Sequence, residues 1–157
     1  MLEALKVRIR AFRPGRPHDW DTTMGAIISQ AQFVRVLSYI ESGRREGASL
    51  VCGGNVPPGL PGGYFIEPTV FAGVTPQMRI AREEIFGPVL SVLRFSSEAE
   101  AVALANASPY GLQASVWSDN VNRAHRVARA LRAGTARLWS APTVGEQVIV
   151  LSPSGEL

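Results

Sequence analysis

From residue 89 onward the apolar spacing alternates between the two periods of regular structure, and that alternation constrains the fold more than any other feature of the chain. Val89 to Phe95 reads as a strand, and Ser97-Glu98-Ala99-Glu100 is a capping box opening a helix to about Asn106. Ala114 to Trp117 reads as a second strand. Asp119 or Ser118 caps a second helix, whose inner face is Val121, Ala124, Val127, Ala128 and Leu131. Gly134 ends that helix, and Thr135 to Trp139 is a third strand. Strand, helix, strand, helix, strand at this spacing predicts right-handed βαβ units. The expected fold class is therefore α/β, with a mostly parallel sheet and flanking helices.

The first half carries fewer regular elements. Leu2, Leu5 and Ile9 have helical spacing, and the segment stops at the turn-rich Arg13-Pro14-Gly15-Arg16-Pro17. Ser29-Gln30-Ala31-Gln32 is a capping box, and Phe33, Val34, Val36, Leu37 and Ile40 give the helix behind it a broad apolar face. Gly43 or Gly47 closes it. Ser49 to Cys52 reads as a short strand, followed by an exposed glycine- and proline-rich loop through Gly63. Tyr64-Phe65-Ile66 and Thr69-Val70-Phe71 are extended pieces separated by Pro68. A proline there removes a ladder donor and predicts an edge or a bend rather than a central strand.

Composition narrows the class. With 157 residues, 46% hydrophobic and 18% charged, the chain has the size of one domain and enough apolar content for a core. One cysteine, Cys52, cannot form an internal disulfide, so a secreted disulfide scaffold is excluded and a reducing, cytoplasmic setting is expected. No apolar run approaches a membrane span or the core of a signal peptide. Net charge is only +3, with arginines interspersed among acids, so nucleic acid is not an expected partner.

Most familiar site patterns are missing. There is no Walker motif, no His-Glu-x-x-His, no Cys-x-x-Cys and no Gly-x-Gly-x-x-Gly, and His18 and His125 lack metal-ligand spacing, so no metal site is expected. Cys52 ends a short strand with no base beside it and reads as a packed, inert thiol. Arg123, Arg126, Arg129 and Arg132 recur every three residues and read as the solvated side of an amphipathic helix, the phosphate-gripping alternative being weaker. The distinctive segment is Glu83-Glu84-Ile85-Phe86-Gly87-Pro88: two adjacent carboxylates, an exposed aromatic and Gly-Pro on one turn. A carboxylate can accept both hydroxyls of a ribose, and an aromatic can pack beside a flat cofactor ring. The alternative is a structural turn with one acid paired to Arg79 or Arg82.

Taken together, the motifs resemble the C-terminal part of the catalytic domain of the NAD(P)-dependent aldehyde dehydrogenases. Met24-Gly25-Ala26-Ile27-Ile28-Ser29 is similar to the family's Met-Gly-Pro-Leu-Ile-Ser, with alanine for proline, and Gln32-Phe33, Glu46-Gly47-Ala48 and Gly53-Gly54 follow in order. Gly63 to Val70 is similar to the family's next strand. Glu83 to Pro88 matches its signature turn, and Asn106, Tyr110-Gly111-Leu112 and Ala133-Gly134-Thr135 complete the series. The resemblance spans residues 1 to 138 and leaves 139–157 as a divergent tail with no assigned domain. Ala136 to Ser140 gives way to sequence unlike the family, for which a frameshift, a gene-model error or a natural truncation would each account.

The resemblance implies cofactor-binding roles. Glu84 matches the carboxylate that binds the nicotinamide-side ribose, and Phe86 the aromatic that packs near the nicotinamide. Gln32 matches a position contacting the cofactor on its adenosine-ribose side, a role that competes with capping. Leu112 lies in a segment approaching the nicotinamide pocket. It also implies that the catalytic cysteine, the general-base glutamate, the oxyanion-hole asparagine and most of the dinucleotide contacts belong upstream, so no residue of this chain is assigned a catalytic role. The expected function is that of an aldehyde dehydrogenase, converting an aldehyde to a carboxylic acid with NAD or NADP. The chain itself is a fragment inactive alone. A non-catalytic module that docks on a full-length relative, or a homo-oligomer, is the competing expectation.

Overall fold

A computed structural model describes residues 2–60, 62–139 and 148–152. The chain forms two compact units, Met1–Arg94 and Phe95–Leu157. Each is described by itself.

The first unit opens with α1 (Leu2–Ile9), followed by α2 (Gln30–Arg45), β1 (Ser49–Cys52), β2 (Thr69–Ala72), the single-turn α3 (Arg79–Arg82) and β3 (Val89–Ser91). Ser29 caps α2 as its sequence predicts, its hydroxyl accepting the Gln32 N–H at 3.2 Å. Gly47, at φ +90°, follows the C-cap Glu46 in the left-handed conformation that favours glycine there. Gly43 instead lies inside the helix, where an added Cβ would come within 3.1 Å of the Phe71 ring, so glycine lets α2 approach β2 closely. The buried face of α2 is Val36, Tyr39, Ile40, Ser42 and Gly43. Val34, expected on the apolar face, is 57% exposed.

The sheet has the order β1-β2-β3, with β1 antiparallel and β3 parallel to β2. This corrects the reading of Thr69-Val70-Phe71 as an edge or bend: β2 is the central strand and is buried throughout. Pro68 lies one residue before the ladder, so its missing N–H removes no bond, and the first donor, Thr69 N, reaches Pro88 O at 2.8 Å. Phe71, Ile66, Ile80 and Ile85 close over the inner face of α2 to form the core.

The second unit contains α4 (Glu98–Asn106), β4 (Gln113–Trp117), α5 (Val121–Ala130), β5 (Thr135–Trp139) and β6 (Val148–Ser152). Its sheet order is β5-β4-β6, with β4 and β5 parallel across α5 and β6 antiparallel to β4. The α/β class stands, with one parallel and one antiparallel pairing in each sheet. The expected run of strands does not form one sheet, because β3 is shorter than Val89–Phe95 and pairs with β2. Neither Ser118 nor Asp119 caps α5. Asn120 does, accepting from Arg123 N at 3.0 Å. That places Val121 at the first helical position, 65% exposed, rather than on the inner face. Ala114, Val116, Ala124, Val127 and Leu131 make the core of this unit. Of the 139–157 tail, Trp139 belongs to β5 and 148–152 to β6, while 140–147 and 153–157 lie outside the described residues. No helix among the described residues is long and apolar enough to cross a membrane.

Candidate functional site

The turn from Glu83 to Pro88 leaves α3 and enters β3, and α2 holds it from one side. Ile85 anchors it in the core at 8% exposure. Gln32 Nε2 donates to two successive carbonyls, Ile85 O at 3.0 Å and Phe86 O at 2.9 Å. Arg35 donates to Glu84 O at 3.2 Å. At Gly87 an added Cβ would lie 2.5 Å from Val36 Cγ2, so only glycine lets the turn lie this close to the helix.

These contacts fix an unusual backbone. Phe86 has φ 55°, the one positive φ outside glycine among the described residues, and the residue remains 65% exposed. An aromatic residue in this region costs of order 1–3 kcal/mol and persists only where the surroundings over-determine it. Here two carbonyl bonds, one buried neighbour and one glycine contact do so. The core holds the backbone and presents the ring outward.

The adjacent glutamates have different surroundings. Glu83 Oε2 accepts from the Tyr39 hydroxyl at 2.8 Å and from Arg79 Nε at 3.1 Å. The Tyr39 bond first, and the Arg79 guanidinium second, hold the Glu83 carboxyl below the usual carboxylate range. Arg79 also stacks over the Tyr39 ring, 4.0 Å from its centroid. Its backbone N–H is taken by Glu46 Oε2 at 2.7 Å. Glu84 is half-buried. The structural-turn alternative describes Glu83, paired to Arg79, while Phe86 is exposed on the same turn.

Gln32 supplies half of its capping box: its N–H meets Ser29, while its side-chain amide serves the turn. Gln32, Glu84 and Phe86 thus share one neighbourhood. Leu112 belongs to the second unit, 57% exposed just before β4. There Gly134 N donates to Gly111 O at 2.7 Å and Thr135 N to Leu112 O at 3.2 Å, joining two of the motifs picked out from sequence. Asn106 completes this knot, donating to Ala130 O at 2.8 Å and accepting from Arg132 N at 2.7 Å. Arg126 makes a two-pronged contact with Glu98, 2.7 Å at each oxygen, and Arg123 lies 3.9 Å from the same carboxylate. Two of the four recurring arginines are therefore held by an acid of their own unit. Cys52 is half-buried at a bulge in β1. Among the described residues no group of three or more His, Cys, Asp or Glu could hold a metal.

Sequence reasoning missed Arg35 and Tyr39. The available signal was their spacing: 32, 35 and 39 lie on one side of a 3.6-residue helix, pairing polar groups with the buried Val36.

The model of the aldehyde dehydrogenase family matches residues 1–151. Over 136 residues the chain is 52% identical to the betaine aldehyde dehydrogenase of Mesorhizobium japonicum, covering 85% of this chain and 28% of that enzyme. It is 54% identical, over the same shares, to that of Brucella ovis. Among solved structures, the betaine aldehyde dehydrogenase of Staphylococcus aureus with NAD+ superposes with a TM-score of 0.83 at 40% identity, over 87% of this chain and 27% of that one. The NAD+ complex of an aldehyde dehydrogenase from Bacillus cereus gives 0.82 at 44%, over 87% and 28%. The chain thus spans under a third of the length of the relatives it matches.

Proposed function

Because the chain belongs to the aldehyde dehydrogenase family, we propose that its 83–88 turn supplies the nicotinamide-ribose side of an NAD(P) site in an aldehyde-oxidising enzyme. The single observation that carries this reading is the strained, outward-facing Phe86 held beside Glu84 by bonds from α2. Strain maintained by that many contacts points to a functional site rather than a packing solution.

The residues fit the group. A carboxylate accepts two neighbouring ribose hydroxyls, which is the task given to Glu84. The exposed face of Phe86 offers an apolar platform for a flat ring. Gln32 spends its amide nitrogen on the turn, and its carbonyl oxygen is the end suited to a hydroxyl of the adenosine-side ribose. When bound, the dinucleotide accepts hydride from the aldehyde carbon. These residues bind and orient it, with no bond-making role. Betaine aldehyde, named for two of the relatives, is the substrate to try first.

A cytoplasmic setting goes with this reading, supported by the single cysteine. So does association with a longer relative or a second copy: among the described residues β5 is an edge strand, with Thr135, Ala136, Arg137 and Trp139 exposed, and sheet edges invite pairing.

Nicotinamide mononucleotide titrated into the chain, followed by amide chemical shifts, tests the site. Shifts centred on residues 83–88, with Glu84→Gln at least tenfold weaker, are expected. Equal affinity in wild type and Glu84→Gln would remove the assignment. With NAD+ and betaine aldehyde the chain alone is expected to form no NADH.

A further inference from the structure

The contacts on α2 explain how two adjacent carboxylates receive different duties. Tyr39 lies on α2 and Glu83 at the end of α3, 44 residues apart in sequence. The tyrosine is 1% exposed, yet its hydroxyl meets a carboxylate that is itself half-exposed, at 49% of its side chain. A buried tyrosine finds a polar partner for its hydroxyl, and the shape of α2 gives this one a carboxylate of the turn. Arg79 binds the same oxygen and covers the ring of Tyr39. Arg35 approaches the tyrosine hydroxyl at 3.4 Å and donates to Glu84 O at 3.2 Å. One buried hydroxyl therefore touches the acid on one side of the Glu83–Glu84 peptide and the arginine that grips the other.

We propose that Tyr39 is a positioning residue: its hydroxyl draws Glu83 toward α2 and sets the turn so that Glu84 and Phe86, not Glu83, face a nucleotide. The proposal rests on the nicotinamide-ribose reading above. The peptide between Glu83 and Glu84 is planar, but rotation about the backbone φ and ψ on either side of it would let either carboxylate occupy the ligand side, and the Tyr39–Glu83 bond selects one. The Tyr39 hydroxyl and the Arg79 guanidinium together hold the Glu83 carboxyl below the usual carboxylate range.

The test uses the full 157-residue chain with Tyr39→Phe, which keeps the ring over which Arg79 lies and deletes only the hydroxyl. Glu83→Gln is the second variant, retaining an acceptor for the tyrosine. Backbone order parameters for Ile85, Phe86 and Gly87 are read by nitrogen relaxation, and affinities are read for nicotinamide mononucleotide and for AMP. In wild type the turn is expected to be as rigid as a core segment, near 0.85, and to fall below about 0.6 in Tyr39→Phe. Nicotinamide mononucleotide is expected to bind five- to tenfold more weakly, AMP unchanged, with Glu83→Gln between the two. A merely structural role would move both ligands together or neither. Unchanged order parameters in Tyr39→Phe would overturn the proposal. So would a mobile turn with undiminished mononucleotide affinity, provided Glu84→Gln weakens that affinity. If Glu84→Gln has no effect on mononucleotide binding, the ribose reading falls, while the order parameters still decide whether Tyr39 holds the turn. A variant that fails to fold is recognised by loss of the core resonances, and Glu83→Gln then carries the test.

Discussion

The carboxamide nitrogen of Gln32 lies 2.9 Å from the carbonyl oxygen of Phe86 and 3.0 Å from that of Ile85, so one donor closes two successive peptide groups. A side chain at the start of α2 thereby fixes the backbone of a residue 54 positions later. The strained conformation of Phe86 depends on that donor.

Gln32→Glu replaces the donor with an acceptor of the same shape, facing two carbonyl oxygens. The carboxylate repels both, and the carbonyls lose their partner. Loss of about 2–3 kcal/mol from the first unit is expected at neutral pH. Urea unfolding followed by first-unit amide signals checks it, and a loss below about 0.5 kcal/mol would contradict a stabilising role for the two hydrogen bonds.

Phe86 offers the opposite result. Phe86→Gly relieves the left-handed backbone but loosens the unfolded chain, so stability is expected to rise or hold within about 1 kcal/mol. Phe86→Ala keeps the backbone penalty and removes an exposed ring, so its stability is expected to change by under about 0.5 kcal/mol. Both should weaken nicotinamide mononucleotide binding. Paired unfolding and binding curves separate the two effects.

Gly87→Ala places a methyl 2.5 Å from Val36 Cγ2, and Val36 is fully buried. Overpacking of this kind costs about 1–3 kcal/mol. Val36→Ala alone should also destabilise, by leaving a cavity. The double variant is expected to recover part of the sum, because each change supplies the space the other needs or leaves. Strict additivity in denaturant midpoints would show that the turn does not press on α2.

Acid should weaken the second unit through Glu98. Arg126, and to a lesser degree Arg123, holds the Glu98 carboxyl below its ordinary value. A group with a depressed folded-state pKa contributes stability above its unfolded pKa, and that contribution disappears as pH falls through the folded value. The window therefore lies below the ordinary glutamate range. Wild type is expected to lose second-unit stability more steeply than Arg126→Ala over that range, with the difference shrinking in high salt because the pair is exposed. Parallel acid titrations of the two proteins would expose an error as coincident curves.

Much of the local structure was legible because its causes are local. Ser29 caps α2 and Ser97 caps α4, each through a residue three positions on. The motifs around Gly111 and Gly134 came from sequence as separate marks, and their meeting at 2.7 Å shows they were two sides of one contact. The reading of Pro68 misjudged its strand because a proline's cost depends on whether its N–H would face a ladder partner, and only the register with Pro88 settles that.

The sequence by itself determined the α/β class, the main helices and strands and the family, since periodicity, caps and ordered motifs act over a few residues or along the line of the chain. Tertiary structure alone decided that β2 lies at the centre of its sheet. It also decided that Glu83 faces Tyr39 while Phe86 is held in a left-handed turn by Gln32. Those outcomes depend on groups 44 and 54 residues apart meeting within 3 Å, and hydrophobic spacing carries no information about which distant polar groups will meet once the core has closed.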